Sequence, residues 1–387
     1  MIGATVFSGS RGDAMHRGSG KSPIKHLDLS LLSAVAALTA FGAIAINSAS
    51  RPRLIAQGLD PQFFLKRHLI YVALSCLALL VALFFDYRQL RTLAPLLFGM
   101  GILGLLMVLT PLGRSALGAQ RWIDLGIFQL QPSEMMKIIL VIAGSSILAS
   151  ERAIDPAPMH VLAVVGVAAA PGLLIFKQPD LGTVMVLLAI AFGILLVAGT
   201  RMRWLMLVIG VGVVSLGLAF QLGVLKDYQV ARLTSFLDSQ TDTQRADFNL
   251  HQSKIAIGSG GLTGKGLGRG SQTNLAYVPS QHTDFIFTAI GEEVGFVGAV
   301  LVLGVFGFLL WRCIRIASLS KDRFGTLLAI GIASMLAFQL FVNVGMTVGI
   351  MPITGIPLPF VSYGGSSLIT NFLAVGLLMN VHMRRFT

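Results

Sequence analysis

Residues 181–198 read LGTVMVLLAIAFGILLVA, an apolar run without a charged side chain. A helix rises about 1.5 Å per residue, so a run of this length nearly crosses the hydrocarbon core of a bilayer, which is roughly 30 Å thick. The whole chain has the same character, because 55% of its 387 residues are hydrophobic and 12% are charged. An ordinary soluble domain carries about 25% charged residues. Lipid is therefore the main solvent of this protein.

Apolar runs of spanning length recur on both sides of this stretch, separated by short polar connections. We predict an all-α integral membrane protein of about ten transmembrane helices, with one long extracytoplasmic loop between helices 7 and 8. The predicted spans are Leu29–Asn47, His68–Phe85, Leu93–Leu112, Met135–Ala149, Val161–Phe176, Leu181–Ala198, Trp204–Leu225, Phe285–Trp311, Leu327–Met351 and Val361–Met379.

The chain divides into four parts. We expect a basic cytoplasmic tail over residues 1–26, transmembrane helices 1–7 over residues 27–222, the long extracytoplasmic loop over residues 223–281, and helices 8–10 over residues 282–387. The last part includes an outer turn rich in Pro and Gly and a short cytoplasmic end. The tail is rich in Gly, Ser, Arg and Lys and lacks the apolar core of a signal peptide.

Orientation follows from Lys and Arg, which are retained in short loops on the cytoplasmic side. An even number of helices puts both termini on one side, and with the termini inside, the inner segments hold the larger share of these residues. The sequence therefore predicts a multi-pass protein of the bacterial cytoplasmic (inner) membrane with both termini cytoplasmic.

Composition excludes two other classes of site. The net charge is +12, but the basic residues are scattered between apolar runs rather than along one face, so we expect no nucleic-acid partner. Cys76 and Cys313 lie within or at the end of apolar runs. Two cysteines are too few for a disulfide framework or a thiolate metal site, so both are interpreted as packing residues.

Asp284 follows the run Pro279-Ser-Gln-His-Thr283 at the point where the long outer loop meets the predicted eighth helix. A carboxylate of reduced solvation at that interface is suited to act as a general base of raised pKa. Asp is also a favoured amino-terminal cap. The sequence is compatible with both roles of Asp284, general base and helix cap. Glu292 and Glu293 follow about two turns later, which predicts a position roughly 12 Å below Asp284 in the same helix.

Two further pairs of ionisable residues border predicted helices on the outer side. Glu134 and Lys137 are three residues apart at the start of the fourth helix and can pair on one face, either for function or as a plain helix start. Lys177 and Asp180 flank a turn that contains Pro179. Two interpretations fit this pattern equally: a simple reversal of the chain between two membrane spans, or a role of the two charged residues in an outer site.

Three outer segments contain patterns that sequence alone leaves open. The Gly-rich stretch 258–268 lies between Lys254 and Arg269 and includes Lys265. It predicts either a backbone that closely approaches a phosphate group or a flexible loop. The segment Gly118–Gln131 predicts either an interfacial stretch or a structured connector. The turn 351–367 has three prolines and two glycines, which indicates a rigid, non-helical hairpin walling a cavity.

These motifs together resemble the SEDS family (shape, elongation, division and sporulation proteins), and within it the RodA branch. The matching strings span the fourth to the tenth helix in the expected order, and Gly355-Ile-Pro-Leu-Pro359 resembles RodA more than its division relative FtsW. The strings are Gln131-Pro-Ser-Glu134, Gln178-Pro-Asp-Leu-Gly-Thr183, Gln252-Ser-Lys-Ile-Ala-Ile-Gly-Ser-Gly-Gly261, His282-Thr-Asp-Phe-Ile-Phe287, Glu292-Glu-Val-Gly295, Gly355-Ile-Pro-Leu-Pro359 and Ser362-Tyr-Gly-Gly-Ser-Ser367.

The resemblance implies a glycosyltransferase that joins lipid II units into glycan strands beside a crosslinking class B penicillin-binding protein. It implies that Asp284 is the catalytic carboxylate and that Glu134 and Lys137 form a functional pair in a central cavity. Further residues are expected to bind substrate or line the cavity: Arg121, Lys177, Asp180, Lys254, Lys265, His282, Ser362 and Tyr363. The chain departs from the family pattern at Ser280, where most relatives carry Glu, and at Gln120, where a second basic residue is common.

The expected reaction begins when Asp284 takes the proton of an acceptor sugar 4-hydroxyl as that oxygen attacks the anomeric carbon of the donor strand. Direct displacement predicts inversion. Lys137, Arg121, Lys254 and Lys265 are candidates to balance the charge of the leaving pyrophosphate, and a divalent cation, Mg²⁺ or Mn²⁺, is a candidate cofactor. A lipid II flippase or other transporter is the main alternative, and a non-catalytic scaffold is a third.

Overall fold

In the computed structural model, the structure describes residues 26–116, 119–124, 126, 129–150, 155–223, 230, 246–275 and 281–385. The predicted tail over residues 1–26 lies, except for His26, outside the described residues, as do Ser280 and most of residues 224–245. The described helices are α1 Leu29–Ala56, α2 Phe63–Phe84, α3 Tyr87–Val108, α4 Pro132–Ala149, α5 Pro158–Lys177, α6 Leu181–Val197, α7 Met202–Gln221, α8 Ala246–Ser259, α9 Ser271–Asn274, α10 Ile286–Glu293, α11 Gly295–Ser318, α12 Arg323–Val348 and α13 Gly365–Arg384.

The helical membrane fold is confirmed. Within the described ranges, 8 helices are long and apolar enough to cross a membrane, and the shorter α6 and the described part of α7 are also apolar. These ten helices correspond to the ten predicted spans. The ends differ most at the first span, where the helix continues to Ala56 rather than ending at Asn47, and at the eighth, where the spanning helix begins at Gly295 rather than Phe285. At the tenth, residues 361–364 are irregular and the helix begins at Gly365.

The bundle has an inner set and an outer set of helices. Most side chains of α4, α12 and α13 are buried, whereas α2 and α3 bury only a minority and expose apolar residues such as Leu96 and Leu77. In lipid, exposed apolar side chains incur no cost, and the polar groups of the inner helices must find partners within the bundle. The inner helices are therefore where polar side chains can be fixed in position.

Both described ends of the chain lie on one face of the bundle. Asp28, just before α1, accepts a hydrogen bond at 3.0 Å from Nε of Arg312 near the end of α11. Arg384 at the end of α13 forms an ion pair at 3.1 Å with Asp86, which precedes α3. We call this end the terminus face. The opposite end, which carries residues 57–62, 178–180 and 349–364 and the described residues within 109–131 and 246–285, is the loop face.

The predicted eighth helix is broken in two. Helix α10 ends at Glu293, Gly295 has a left-handed φ of 73°, and α11 then runs for 24 residues. Because α11 is long enough to cross the membrane alone, α10 lies before the span. Ser48, which hydrogen-bonds Glu293 at 2.6 Å, is 20 residues after Asp28, or about 30 Å along α1. The prediction of one continuous eighth helix is therefore wrong, although Glu292 and Glu293 do lie about two turns into the helix that follows Asp284.

The Gly-rich stretch is bound to this break, which neither sequence interpretation anticipated. The N–H groups of Lys265 and Gly266 donate to the last carbonyls of α10, those of Glu292 and Glu293, at 3.1 and 2.9 Å. In return, the N–H groups at the start of α11 donate to the stretch, from Phe296 to Gly261 at 2.9 Å and from Val297 to Leu262 at 3.1 Å. Helix ends leave such groups unpaired. The stretch therefore clamps both sides of the break.

Two other loop-face segments have regular structure. Strands β1 Gly113–Ala116, β2 Ala119–Asp124 and β3 Gln129–Leu130 form a small antiparallel sheet in the order β1-β2-β3. The interpretation of this segment as a structured connector is thus confirmed for its described part. The long loop contains α8, which packs on α10 and on the end of α12: Ser253 Oγ lies 2.6 Å from Oγ1 of Thr288 and donates to the carbonyl of Thr347 at 2.8 Å.

Candidate functional site

Asp284 lies in a turn, residues 281–285, on the loop face. Helix α10 begins at Ile286, and its N-cap position is occupied by Phe285, which makes no side-chain cap hydrogen bond. The interpretation of Asp284 as the amino-terminal cap is therefore wrong. The turn is joined to α9, because Gln281 donates from Nε2 to the carbonyl of Gln272 at 3.2 Å.

Asn343 of α12 joins the Asp284 turn to the proline hairpin, which we define as residues 351–364. Its amide Nδ2 donates to the carbonyl oxygen of Asp284 at 2.8 Å and to that of Ile356 at 2.7 Å, and its side chain is fully buried. A second connection is made within the turn, where the carbonyl of His282 accepts a hydrogen bond at 2.9 Å from the N–H of Tyr363. The backbone that carries Asp284 is thus held at two points.

Gly355 lies directly against the Asp284 carboxylate. A Cβ atom at this glycine would stand 3.3 Å from Oδ2 of Asp284, and the residue has a left-handed φ of 78°. Side chains rarely adopt that backbone conformation, and one here would crowd the carboxylate. Glycine therefore lets the hairpin backbone run beside Asp284 while leaving the carboxylate room.

Aromatic rings line one side of the turn. The His282 ring lies 4.3 Å from Phe64 and 5.7 Å from Tyr363 between ring centroids, and Tyr363 lies 5.8 Å from Tyr71. Burial, with a smaller contribution from the charge of Arg53, lowers the pKa of His282 to about 4. His282 is therefore neutral at physiological pH and packs at this site as an aromatic ring.

Ser362 stabilises the hairpin from within. Its hydroxyl accepts a hydrogen bond at 2.8 Å from the N–H of Leu358, and the N–H of Ser362 donates to the Leu358 carbonyl at 3.0 Å. The residue is buried. Ser362 thus shapes the hairpin, which was predicted to be rigid and is irregular over its whole length.

Glu134 and Lys137 form a buried ion pair in the first two turns of α4. Lys137 Nζ donates to Oε2 of Glu134 at 2.6 Å, and the side chain of Lys137 is 1% exposed and that of Glu134 5% exposed. Burial of two charges away from water is costly unless they are paired. By helical rise Lys137 lies about 8 Å from the start of α4, well short of the bilayer midplane.

Arg121 and Asp180 form a second polar group, to which Gln131 at the start of α4 donates a hydrogen bond from Nε2 to Asp180 at 3.3 Å. Arg121 Nε donates to the carbonyl of Gln178 at 3.1 Å, another of its nitrogens donates to the carbonyl of Pro179, and Nη1 lies 3.9 Å from Asp180. Asp180 caps α6 by accepting from the N–H of Thr183 at 3.2 Å. Arg121 thus ties the small sheet to the α5–α6 turn.

The proline hairpin separates the two groups of predicted site residues. On one side it contacts Asp284 through Gly355. On the other it meets the start of α6, where a Cβ at Gly182 would stand 2.8 Å from Ile356. Beyond the hairpin, the Ser366 hydroxyl accepts from the N–H of Gln131 at 2.9 Å and donates to the Gln129 carbonyl at 2.8 Å. One rigid segment therefore connects Asp284 to the α4 and α6 side.

The remaining predicted cations have separate environments. Lys254 on α8 is exposed, and its side chain runs past Gly349, where α12 ends and the hairpin is about to begin. Lys265 Nζ donates at 2.8 Å to the buried carboxylate of Glu292, so it helps to hold residues 261–266 of the Gly-rich stretch against the end of α10. Lys177 is exposed at the end of α5. The structure thus brings Lys254 near the hairpin and gives Lys265 a structural partner.

Asn343 and Gln120 carry contacts that the sequence did not predict. Asn343 lies in a helix that was interpreted from the sequence only as a membrane span. The sequence did contain a signal for its role, namely a polar amide inside an apolar run. Such a group is costly in lipid and therefore indicates a hydrogen-bond partner within the protein. Gln120, where a second basic residue was expected, donates from Nε2 to the carbonyls of Thr110 at 2.7 Å and Gly113 at 2.9 Å. It therefore stabilises the chain leading into the sheet.

Comparisons with known proteins agree with this architecture. The family model FTSW_RODA_SPOVE, described as cell cycle protein, matches residues 29–386. A probable peptidoglycan glycosyltransferase FtsW of Geobacter metallireducens is 39% identical over 93% of this chain and 96% of its own.

Solved structures are similar as well. One described as "Structural coordination of polymerization and crosslinking by a peptidoglycan synthase complex" has a TM-score of 0.78 and 32% identity, and the match covers 93% of this chain and 99% of that one. The rod shape determining protein RodA of Thermus thermophilus has a TM-score of 0.69 and 32% identity, with 93% and 98% covered. The chain therefore belongs to the FtsW/RodA/SpoVE family, the SEDS family whose motifs its sequence contains.

Proposed function

We propose that this protein is a peptidoglycan glycosyltransferase that polymerises lipid II, with Asp284 as general base. The observation that carries the proposal is the Asp284 carboxylate itself: it stands on the loop face, its backbone is held by Asn343, and Gly355 gives it room. Family membership supports the reaction class, because relatives of similar length carry the name of that activity.

In the proposed reaction, Asp284 accepts the proton of the acceptor sugar 4-hydroxyl. The oxygen forms a bond to the anomeric carbon of the donor, and the bond from that carbon to the lipid pyrophosphate breaks, so the pyrophosphate leaves with the electron pair. A positioned base of this kind is worth about 10²- to 10⁴-fold in rate. One carboxylate and direct displacement give inversion at the anomeric carbon.

The leaving pyrophosphate needs cations or backbone donors aimed at it. Of the four candidates predicted from sequence, Lys137 and Lys265 have carboxylate partners at 2.6 and 2.8 Å, and Arg121 donates to backbone carbonyls. Lys254, exposed beside the start of the hairpin, is the best placed of the four. The exposed Arg53 and Arg67 are further candidates, because their charges act on His282 and Tyr363, respectively.

A divalent cation was the predicted cofactor. In the described part of the chain no group of three or more His, Cys, Asp or Glu side chains is arranged to hold an ion. These residues do not fit a tightly bound metal. We therefore derive no step through one, and propose that any Mg²⁺ or Mn²⁺ arrives with the pyrophosphate of the substrate.

We further propose that both termini are cytoplasmic, that the loop face lies outside the inner membrane, and that a class B penicillin-binding protein is the partner. The larger share of Lys and Arg that the sequence places in the predicted inner segments supports the orientation. The similarity to a structure described as a peptidoglycan synthase complex supports the partnership. Lipid II and the growing glycan strand would then meet Asp284 at the outer surface.

The branch of the family remains a separate prediction. The form of residues 355–359 favours the elongation branch, RodA, whereas the curated relative at 39% identity is named FtsW, after the division branch. Producing the protein in rod-shaped cells depleted of either endogenous enzyme distinguishes the two. Rescue of cell shape supports elongation, and rescue of septation supports division.

The central test is a lipid II polymerisation assay on purified protein with its penicillin-binding partner. Asp284→Asn keeps the size of the side chain and removes the base, so the rate of polymer formation should fall at least about 100-fold. Asp60→Asn is the matched control, because Asp60 is also a loop-face carboxylate but is exposed and paired with Lys66 at 2.6 Å. Its rate should stay within about twofold of wild type. Equal polymer from Asp284→Asn would remove Asp284 as the base.

A lipid II transporter is the second candidate, favoured by the buried Glu134–Lys137 pair. Transporters bind cargo near the midplane, with broken helices there. Here the break between α10 and α11 is about 30 Å along α1 from the Asp28 level, toward the loop face. Lipid II translocation by wild type without any polymer, measured in the same vesicles, would establish the transporter instead. If the partner alone formed the full amount of polymer, this protein would instead be a non-catalytic scaffold.

A further inference from the structure

A polar cavity of about 690 Å³ opens on the terminus face, at the opposite end of the bundle from Asp284. Its walls come from the first two turns of α3, the end of α4 and the start of α12. The lining residues are Arg88, Arg91, Thr92, Ser146, Ser150, Asp322 and Phe324. None of them takes part in the proposed reaction.

The described lining carries a net positive charge. Arg88 and Arg91 are three residues apart and share one side of α3. The single carboxylate, that of Asp322, lies 3.8 Å from Nε of Arg88 and already accepts the N–H of Gly325 at 2.8 Å and the hydroxyl of Tyr87. One shared carboxylate does not neutralise two guanidinium groups, so the cavity suits an anion.

The level of the cavity in the membrane indicates which anion it meets. The ends of membrane spans lie at the interface, where lipid phosphates are concentrated. Basic pockets between transmembrane helices at that level bind phospholipid head groups. Arginine is especially suited to phosphate, because its planar guanidinium can donate two parallel hydrogen bonds to it.

An apolar track leads from the cavity into the membrane. Thr92 lines the cavity, and the residues one, two and three turns further along the same side of α3 are Leu96, Met100 and Leu103. Their exposed fractions are 61%, 59% and 60%. A ligand with a phosphate in the cavity could therefore lay an acyl chain along α3, which a soluble phosphate cannot do.

We infer that this cavity is a binding site for a phosphate-bearing lipid head group, specifically that of an anionic phospholipid. Arg88 and Arg91 bind the phosphate, and the α3 track holds an acyl chain. The site is separate from the Asp284 turn and does not depend on the proposed polymerase activity.

Native mass spectrometry of the full-length protein in detergent tests the site directly. Phosphatidylglycerol, phosphatidylcholine and inorganic phosphate are titrated separately. Each arginine near a membrane surface contributes about fivefold in affinity for an anionic lipid. Phosphatidylglycerol should therefore bind about fivefold more weakly to Arg91→Gln and about 30-fold more weakly to Arg88→Gln/Arg91→Gln, while phosphatidylcholine, which has no net charge, should bind the wild type more weakly than phosphatidylglycerol does.

Two further variants test whether a loss of lipid binding comes from the cavity itself rather than from a change in surface charge or from misfolding. Arg203→Gln removes an exposed charge from the same face, outside the cavity, and should change phosphatidylglycerol affinity less than twofold. Thr92→Trp obstructs the cavity with a bulky side chain and keeps both arginines, so it should also weaken binding. Equal lipid affinity in wild type and the double variant would overturn the site. Inorganic phosphate that displaces the lipid at equal concentration would overturn its assignment to a lipid.

Discussion

At the scale of single residues, Asn343 connects the two segments that define the candidate site. One amide group reaches the carbonyls of both Asp284 and Ile356, so the turn and the proline hairpin are fixed relative to each other by a side chain of a third element. Buried carbonyls without a donor cost about 1–3 kcal/mol each. The amide therefore contributes to stability and, in the proposed reaction, to the position of the base.

Replacement of Asn343 by Leu should lower kcat for glycan polymerisation about 10- to 100-fold and leave KM nearly unchanged, because a small displacement of the base mainly affects the chemical step. Gln339→Leu is the matched control. Gln339 is one turn earlier on α12, is equally buried, and its amide atoms have no hydrogen-bond partner within the described residues. That variant should keep its activity and gain stability. Equal kcat losses in both variants would contradict the positioning role.

His282 gives the site a defined response to pH. Its folded-state pKa is about 4, against an ordinary value of 6.5. Between these values the unfolded chain binds a proton that the folded chain does not, so folded stability is lost as pH falls from 6.5 toward 4. His282→Phe keeps a ring beside Phe64 and Tyr363 but cannot titrate.

The wild-type melting temperature should therefore fall more between pH 7.5 and pH 5 than that of His282→Phe, measured by differential scanning fluorimetry in the same detergent. An equal fall in the two proteins would show that His282 is not buried in its neutral form.

At the scale of elements, the clamp over residues 261–266 explains how a helix can break at the membrane surface without leaving backbone groups unpaired. Two N–H groups of the clamp satisfy the end of α10, and two of its carbonyls satisfy the start of α11. The Glu292 side chain adds to this. Burial opposes its ionisation, but hydrogen bonds from Lys265 and from the backbone of Gln272 and Thr273 hold its pKa below the usual value.

Gly264→Ala should open the clamp. The residue has a φ of 78°, and a Cβ there would stand 2.2 Å from the Glu293 carbonyl oxygen. We expect a loss of at least about 2 kcal/mol in the free energy of unfolding, from backbone strain and the displaced hydrogen bonds together. The measurement is thermal unfolding together with limited proteolysis of the loop face.

Gly258→Ala is the control for this change. Gly258 lies in α8, and a Cβ atom there would meet nothing within 4 Å, so alanine should stabilise the protein by up to about 1 kcal/mol. A Gly264→Ala protein as stable as wild type would mean that the clamp contributes little.

At the scale of the whole molecule, the polar groups are sorted between two faces with different roles. The loop face carries Asp284, the hairpin and the clamp, and the terminus face carries both described chain ends and the basic cavity. The inner helices α4, α12 and α13 connect the two faces. This arrangement fits chemistry at one membrane surface and lipid contact at the other.

Cysteine labelling should reveal the orientation. In a Cys76→Ala background, Leu262→Cys on the loop face should react with a membrane-impermeant maleimide in intact spheroplasts, because Leu262 is 71% exposed. Lys321→Cys, in the exposed connection between α11 and α12 on the terminus face, should react only after permeabilisation. The native Cys313 is fully buried and serves as an internal negative control. The reverse pattern would invert the proposed topology.

The sequence by itself determined the spans, because hydropathy is a local property: a run such as residues 181–198 must be buried in lipid whatever surrounds it. It also predicted the rigid hairpin, since Pro and Gly restrict the backbone locally, and it pointed to the Glu134–Lys137 pair, since three residues make one helical turn.

Only the tertiary structure decided the break after Glu293, the clamp that binds it, and the role of Asn343. Each of these depends on hydrogen bonds between segments far apart in the chain, such as Phe296 with Gly261 or Asn343 with Asp284. A hydropathy profile reads the break as one continuous helix, because Glu292 and Glu293 are the only charged residues in the otherwise mostly apolar run over residues 285–311. Which distant backbone group satisfies a helix end is set by packing, and that information is absent from any local stretch of sequence.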